Sequence, residues 1–427
     1  MATSLAAISR SRRPQAHPVP GATWQAHVVD AGAITAALNR LWREHAVPKD
    51  EPKLATTAVE EGDQVGVSVQ MRASTLNLTA VARSRAAAHR VEEAVTHLSE
   101  LYPSRATILV ADPERARETE PGLDVRVSLL EQAGVKGRPA IRFECVTVEV
   151  SAASERQLAS IASPLLVADL PDFLWWAGES VVDSALFQDL VPLSDRLIVD
   201  TAGAENPDRE LNGLVRVLDR EGGCPKMSDF AWSRLTPWRQ LISQFFDPPA
   251  TRAALAAIDE VTITYGASDA DGRSGLTGAL LCAGWLGARL GWQTPGEMLP
   301  ARDRAGGWKA TMRAGERGLR REVVLSLRPT NARHAARGLG RIDLIADGGK
   351  TGAFWAERVD ELDLATSSEL PQSPPMSRMV HAETLDDASL LAEELRAFGR
   401  DPVYEASLRV AAALAPEIDN VVPEGSR

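Results

Sequence analysis

Residues 76–111, LNLTAVARSRAAAHRVEEAVTHLSELYPSRATILVA, decide the fold class of this chain. The stretch begins and ends with short apolar runs, 76–81 and 106–111, which predict two buried strands. Between them, apolar residues at helical spacing predict a helix over 84–101 whose charged residues lie on the opposite face. A strand, a helix and another strand in succession indicate an α/β sheet with parallel pairing.

The same alternation of strand-like and helix-like runs extends to about residue 246. Further strands are predicted at 65–69, 125–130, 141–150, 173–176 and 197–199, and a further helix near 155–166. The sequence therefore predicts an α/β domain over 61–248, built on a mixed, largely parallel sheet with helices.

A pair of prolines after Asp247 separates a second region, 249–370, which is predicted as a smaller α+β domain. It contains a predicted strand at 261–265, a glycine-rich turn, an apolar helix at Leu276–Leu290 and further strands. Residues 371–427 are predicted as a proline-rich linker and a helical C-terminal tail. Thr384 and Asp387 form a capping box for the first tail helix, which Gly399 ends.

Residues 1–60 are predicted as a disordered tail, a leader helix at 33–44 and a linker. The first twenty residues are rich in Ala, Ser and Arg and contain no acidic residue, which is also typical of an organelle transit peptide. A basic tail is the favoured interpretation, and a cytoplasmic location is predicted. The three cysteines show no disulfide or zinc pattern, which agrees with a reducing compartment.

Composition and net charge indicate a globular protein and limit the classes of partner that it is expected to bind. The 427 residues are 44% hydrophobic and 25% charged, a profile typical of a globular protein with sizeable cores. The net charge of −11 opposes binding to phosphate backbones and to anionic lipid, so neither a nucleic-acid nor a membrane partner is expected. No uninterrupted apolar run reaches the roughly 18 residues that a membrane span requires.

Sequence motifs for catalysis are missing. The chain contains no His-Glu-x-x-His motif, no Gly-x-Ser-x-Gly motif and no Gly-x-Gly-x-x-Gly motif after a predicted strand. Its seven histidines form no cluster with metal-ligand spacing. We therefore expect no catalytic set, no metal site and no cofactor.

One glycine-rich turn is a candidate ligand site. Gly272, Arg273, Gly275 and Gly278 lie between the predicted strand at 261–265 and the apolar helix that follows. Glycine amides at a helix N-terminus can hold an anion such as a sugar phosphate, and Arg273 would add charge. In the alternative interpretation, the glycines of this helix only allow it to lie close to a sheet.

Two segments concentrate aromatic and arginine side chains. The first runs from Asp169 to Trp175 and Trp176, and the second, 229–239, includes Arg234, Trp238 and Arg239. Trp and Arg are favoured anchors at protein interfaces, so these six residues are candidate partner-binding residues. A strand buried on both faces explains the tryptophans equally well.

These residues also carry a resemblance to a known family. The chain resembles the glucose-6-phosphate dehydrogenase assembly protein family, OpcA, over most of residues 76–292. The matching stretches include 76–78, 83–105, 144–148, 164–176, 194–200, 228–239 and 284–292. It departs from the family pattern at Tyr102, where histidine is expected, and at Phe230 and Ala231, where leucine and asparagine are usual.

The resemblance implies a non-catalytic assembly factor and allosteric activator of glucose-6-phosphate dehydrogenase, which supports the oxidative pentose phosphate pathway and NADPH supply. It also raises redox control through a cysteine. Cys145, in an apolar strand, is expected to be inert, so Cys224 in its glycine-rich loop is the redox candidate. Two alternatives stay open: a protein that senses a sugar phosphate or nucleotide at the glycine-rich turn, and an enzyme whose catalytic residues meet only in the folded chain.

Overall fold

The computed structural model describes residues 19–27, 30–45, 71–72, 74–99, 101–112, 123–132, 141–150, 155, 157–178, 184–220, 225–267, 275–302, 306–315, 321–335, 338–397 and 399–417. Its first sheet and the associated helices comprise β1 (Val19–His27), α1 (Ala31–His45), β2 (Met71–Arg72), β3 (Leu76–Ala82), α2 (Arg85–Leu98), β4 (Ser104–Ala111), β5 (Leu123–Gln132), β6 (Ile141–Val150), α3 (Gln157–Ala162), β7 (Asp172–Ala177), α4 (Ala185–Leu190), β8 (Arg196–Val199), α5 (Pro207–Leu218) and β9 (Lys226–Asp229).

The chain then continues through the strands of the second sheet and the remaining helices. They comprise α6 (Phe230–Arg234), α7 (Thr236–Gln244), α8 (Pro249–Ala257), β10 (Ile258–Gly266), α9 (Leu276–Leu290), β11 (Leu299–Pro300), β12 (Trp308–Ala314), β13 (Arg321–Thr330), β14 (Leu339–Ala346), β15 (Gly352–Arg358), β16 (Asp363–Leu370), β17 (Ser373–His381), α10 (Asp387–Arg396) and α11 (Pro402–Leu414).

The β3–α2–β4 unit confirms the interpretation of residues 76–111. β3 and β4 pair in parallel, and Ser84 caps α2 by accepting a hydrogen bond from the backbone N–H of Ala87. The buried residues of α2 form the predicted stripe up to Leu98, where the helix ends. Leu101, which the pattern placed on that stripe, is 63% exposed because it lies in the turn beyond the helix.

The first sheet is mixed and largely parallel, as predicted. Its strand order is β1-β5-β6-β4-β3-β7-β8-β9, with β2 beside β6. The strands from β6 to β9 pair in parallel, and only β5 and β1 run antiparallel at one edge. The leader helix α1 packs on this edge through Ile34 and Leu38. The predicted strand at 65–69 lies outside the described residues.

The second sheet has the order β11-β12-β13-β10-β14-β15-β16-β17 and is antiparallel except between β10 and β13. Helices α7, α8 and α9 contact one face, which we call the inner face. Alternate side chains of β14 and β15, Phe354 among them, are buried against these helices. The side chains between them keep access to solvent, so the two faces differ sharply in burial.

Residues 371–381 correct the prediction of a linker. Instead of a connection between domains, Ser373–His381 form β17, the last strand of the second sheet, paired antiparallel with β16. Pro374 and Pro375 are tolerated there because they lie on an edge strand at an irregularity in its register, where neither has a partner residue in β16. A helix follows as predicted, but it begins at Asp387. Its cap is Asp386 and not Thr384, and the Asp386 side chain accepts from the N–H of Ser389.

The C-terminal helices join the two sheets. α10 packs on α2 of the first sheet, whereas α11 packs on α9 of the second sheet and on α5. Arg196, buried at the start of β8, donates to the carbonyl oxygen of Gly399 at 2.7 Å and to the hydroxyl of Ser228 at 2.5 Å. The predicted helical tail is therefore a structural bridge within the fold.

Candidate functional site

Trp175 and Trp176 lie in the core. They point to opposite faces of β7 and are 2% and 1% exposed. Trp175 packs against Phe230 with ring centroids 5.7 Å apart, and Trp176 against Phe187 at 5.4 Å. β7 is an inner strand between β3 and β8, and both its faces are covered, so of the two interpretations left open for these tryptophans the structure favours the buried strand over the partner surface.

The second aromatic segment is also mostly internal. Trp238 is 3% exposed, which removes it from the candidate partner-binding surface. The guanidinium of Arg239 lies 3.5 Å from the ring centroid of Trp232, and burial lowers the pKa of Arg239. Arg234 forms a two-pronged ion pair with Asp200, with distances of 2.7 and 3.0 Å. Of the six candidates, only Asp169 is exposed, at a positive φ of 65° just before β7.

A buried polar network, which the sequence did not reveal, adjoins this segment. Asp229 is fully buried and accepts hydrogen bonds from the N–H of Thr201 (3.1 Å), the hydroxyl of Thr201 (2.7 Å) and the N–H of Ala231 (2.9 Å). The hydroxyl of Tyr404 donates to its Oδ2 at 3.3 Å. Burial raises the pKa of Asp229 to about 7, although the bonds from Thr201 and Ala231 oppose the shift. The network joins β9, α6 and α11.

A cleft of about 740 Å³ lies between α7 and the inner face of β15–β17. Its walls include Arg234 and Trp238 from the aromatic segments and Gly275 and Gly278 from the start of α9, so the structure brings together two sets of predicted residues. Gly272 and Arg273 lie outside the described residues.

The two described glycines of that turn differ in their surroundings. A Cβ at Gly275 would lie 2.8 Å from the carbonyl oxygen of Gly266, so a side chain there would collide with the end of β10. Among the described residues, no atom lies within 4 Å of the corresponding position at Gly278. The close approach predicted for the helix glycines occurs at Gly284, where the neighbour is α11 rather than a sheet.

Several basic side chains converge on the cleft besides Arg234. They are Arg333, His334, Arg358, Arg378 and His381. Three exposed carboxylates, those of Glu361, Glu383 and Glu393, also line it. The arginines come from positions spread over 45 residues of sequence and three strands or turns, which is why no local motif signalled them.

Arg358 is the most buried of these cations, with 8% of its surface exposed. Its Nη1 donates to the carbonyl oxygen of Ala382 at 2.7 Å, and its guanidinium lies 5.9 Å from the ring centroid of Trp238. No carboxylate of the described residues lies within 4 Å of it. Burial lowers the pKa of Arg358, while the more distant Asp360 and Asp363 oppose that shift.

The second sheet exposes one face and one edge. The side chains that point away from the inner face form two adjacent rows, which we call the open face. One row consists of Asp343, Trp355, Ser367 and Ser377, and the other of Arg341, Glu357, Ala365 and Met379. Arg341 stacks on Trp355 at 4.4 Å from its ring centroid. Along edge strand β17, Met376 and Met379 are 71% and 62% exposed. Exposed methionines of this kind are unusual and favour an interaction surface.

The cysteines fall into two groups. Cys145 and Cys282 are buried, and burial raises the pKa of each thiol to about 12, so neither is a reactive thiolate near neutral pH. Cys224 lies outside the described residues. The described residues contain no group of three or more His, Cys, Asp and Glu placed to hold a metal ion. None of the described helices has the length and apolar character needed to cross a membrane.

Comparison with known proteins yields two family matches and several relatives. Residues 95–216 match a family model described as the glucose-6-phosphate dehydrogenase subunit N-terminal domain, and residues 225–408 match the C-terminal domain of the same subunit. A protein of Nostoc punctiforme, named as OpcA of the OxPP cycle, is 35% identical over 150 residues, or 35% of this chain and 30% of that protein. A protein of the same name from Synechococcus elongatus is 28% identical over 282 residues, or 63% and 59%. The chain thus matches less than two thirds of the length of these relatives.

Similar solved structures are more distant. An oxidoreductase from Sinorhizobium meliloti has 13% identity and a TM-score of 0.44, with 80% of this chain and 97% of that chain covered. A myo-inositol dehydrogenase from Lactobacillus casei has 10% identity and a TM-score of 0.38, with 80% and 93% covered. Sequence identities and TM-scores this low do not indicate a shared activity. The two family models together match most of the chain, which therefore belongs to the glucose-6-phosphate dehydrogenase assembly protein family, OpcA.

Proposed function

We propose that this chain is a non-catalytic cytoplasmic partner that promotes the assembly and activation of glucose-6-phosphate dehydrogenase, and so supports the oxidative pentose phosphate pathway and NADPH supply. The observation that carries the proposal is the pair of family models, both described as domains of a glucose-6-phosphate dehydrogenase subunit.

The turn after β3 supports a non-catalytic role. In open α/β sheets, dinucleotides bind at the carboxyl ends of the strands where the strand order reverses, on a glycine-rich turn. Here the reversal lies between β3 and β7, and the turn after β3 carries Arg83 and Ser84 instead of glycines. Arg83 pairs with Glu155 at 2.5 Å and packs against Gly178, beyond β7. Side chains of the chain itself therefore fill this position.

The open face together with β17 is the contact surface that we propose for the dehydrogenase. It combines a stacked arginine and tryptophan, Arg341 and Trp355, with the exposed Met379 at its edge. Arg and Trp are frequent binding anchors, and methionine adapts to partner surfaces of irregular shape. An edge strand can also pair with a strand of a partner through its unused backbone groups.

Activation follows if this surface binds one state of the dehydrogenase more tightly than another. The partner then shifts the population toward that state by no more than its differential affinity allows. A hundredfold preference corresponds to about 2.7 kcal/mol, which a few well-placed contacts can supply.

A coupled assay tests the proposal. The dehydrogenase of the same organism is incubated with increasing amounts of this chain, and NADPH formation from glucose 6-phosphate is followed. We expect a saturable rise in rate, and no NADPH formation by this chain alone. A flat response would contradict activation, and turnover by the chain alone would contradict the non-catalytic role.

A further inference from the structure

We propose that the 740 Å³ cleft between α7 and the inner face of β15–β17 binds a phosphorylated small molecule through Arg358, Arg378 and Arg333. This site is separate from the open face, since it lies on the opposite side of the same sheet. The inference rests on the geometry of the cleft and does not depend on the role toward the dehydrogenase.

The strongest evidence for this site is that Arg358 is buried without a close counter-charge among the described residues. Buried charges in proteins are usually paired, because leaving water without a counter-charge costs several kcal/mol. Arg358 is 8% exposed and has only the carbonyl oxygen of Ala382 as a close described acceptor, with no described carboxylate within 4 Å. Arg234, on the wall of the same cleft, is instead neutralised by Asp200. An anion in the cleft would supply the counter-charge for Arg358 that Asp200 supplies for Arg234.

Two further arginines face the same space without an ionic partner among the described residues. Arg378 donates to the neutral acceptors Gln244 and Thr366. Arg333 is exposed in the turn at 333–335. Guanidinium groups bind phosphate in a planar, two-pronged geometry, which makes arginine the usual residue for phosphate recognition. Three such groups around one cleft favour a dianionic ligand over a single carboxylate.

The start of α9 adds to the positive field. α9 has fifteen residues and begins beside the cleft at Leu276, with Gly275 at its cap, and no side chain of the described residues caps its first N–H groups. Free N–H groups at a helix N-terminus favour an anion. The exposed Glu361, Glu383 and Glu393 line the same cleft and oppose this field.

The size of the cleft sets the class of ligand. Small-molecule sites have volumes of about 300–1,000 Å³, and this cleft falls within that range. A sugar phosphate or a mononucleotide is of suitable size. Pro237 and Val380, which are partly exposed and also line the cleft, would contact the sugar or base.

Calorimetry and thermal unfolding of the isolated chain test this site. The probes are glucose 6-phosphate, 6-phosphogluconate, AMP and inorganic phosphate, with glucose and adenosine as uncharged controls, each at up to about 10 mM, which detects dissociation constants into the millimolar range. We expect binding and a raised Tm with at least one organic phosphate and no effect of the uncharged controls. The two arms distinguish a sugar phosphate from a nucleotide.

Variants locate the binding. Arg378→Gln and Arg333→Gln change exposed side chains, so both variants should fold, and each should weaken binding at least tenfold. Arg358→Gln should weaken it further. Arg409→Gln is the matched control, since Arg409 lies on α11 and pairs with Asp219 at 2.6 Å, and it should bind normally. No binding of any phosphorylated probe, or binding unchanged in all three cleft variants, would overturn the site. Because the dehydrogenase is not used, that failure would leave the proposed function untouched.

Discussion

The indole nitrogen of Trp232 donates a hydrogen bond of 2.9 Å to Oδ2 of Asp401, which lies 169 positions further along the chain. Asp401 also caps α11 by accepting from the N–H groups of Val403 and Tyr404. The aromatic segment that the sequence offered as a partner surface is thus a joint between the first sheet and the C-terminal helices. We therefore expect recognition of another protein to use a different part of the molecule.

Replacing Trp176 with alanine should destabilise the chain. The side chain is 1% exposed, and truncating a buried tryptophan typically costs about 3–5 kcal/mol. Urea unfolding measures the loss, with Trp24→Ala, on the partly buried edge strand β1, as the comparison that should cost less. A Trp176→Ala protein of normal stability that no longer activates the dehydrogenase would show that the side chain faces a partner after all.

Asp229 should make stability depend on pH. Its pKa is about 7 in the folded chain and 3.8 is its ordinary value, so between these pH values the folded protein holds a proton that the unfolded chain releases. Stability should therefore fall as pH rises through this window, by at most about 1.4 kcal/mol per pH unit, and level off above pH 7.

The contribution of Asp229 can be isolated by comparison with Asp229→Asn. Urea unfolding of both proteins at several pH values between 4 and 8 cancels the titrations that they share. The stability of the wild type relative to the variant should decrease with pH in that window. Parallel profiles would show that Asp229 is ionised in the fold.

Gly284 should be intolerant of any side chain. A Cβ there would lie 2.3 Å from the carbonyl oxygen of Ser407 and 2.9 Å from the nitrogen of Ala411, so α9 and α11 would have to separate. Gly284→Ala should lower Tm by several degrees, as overpacking of a close contact typically costs about 1–3 kcal/mol. Gly278→Ala, in the same helix with nothing within 4 Å, should be neutral or stabilising. Equal effects of the two changes would argue against the close contact of α9 with α11.

The proposed contact surface predicts a selective loss of activation. Met379→Asp places a charge on the open face beside the edge of the sheet, and should weaken binding to the dehydrogenase at least tenfold without lowering Tm, because Met379 is 62% exposed. Leu101→Asp is the matched control, since Leu101 is 63% exposed near the first sheet, and should activate normally. The reverse pattern would place the interface on the first sheet.

Local patterns predicted the elements that are apolar throughout or apolar along one face. The helix at Leu276–Leu290 and the β3–α2–β4 unit have the predicted form because apolar runs and the spacing of apolar residues act within a few positions. β17 was missed because its two prolines resemble a linker, and only its place at the sheet edge makes them compatible with a strand.

Which side chains are buried, and which residues line the cleft, depends on long-range contacts that the spacing of residues along the sequence does not reveal. Trp175 and Trp176 fit an interface or a core equally well until the strand order places β7 inside the sheet. Arg358 and Arg378 lie on different strands, and Gly275 lies on a helix of another segment, so only the folded chain brings them to one cleft.

If this chain promotes the assembly of glucose-6-phosphate dehydrogenase, as we propose, mixing the two proteins should change the mass of the dehydrogenase species. The most direct test is light scattering on size-exclusion fractions of the two proteins, alone and mixed, with NADPH formation measured on the same fractions. We expect a species heavier than either protein alone, with the highest activity per dehydrogenase subunit in that fraction. Unchanged masses and unchanged specific activity in the mixture would contradict it.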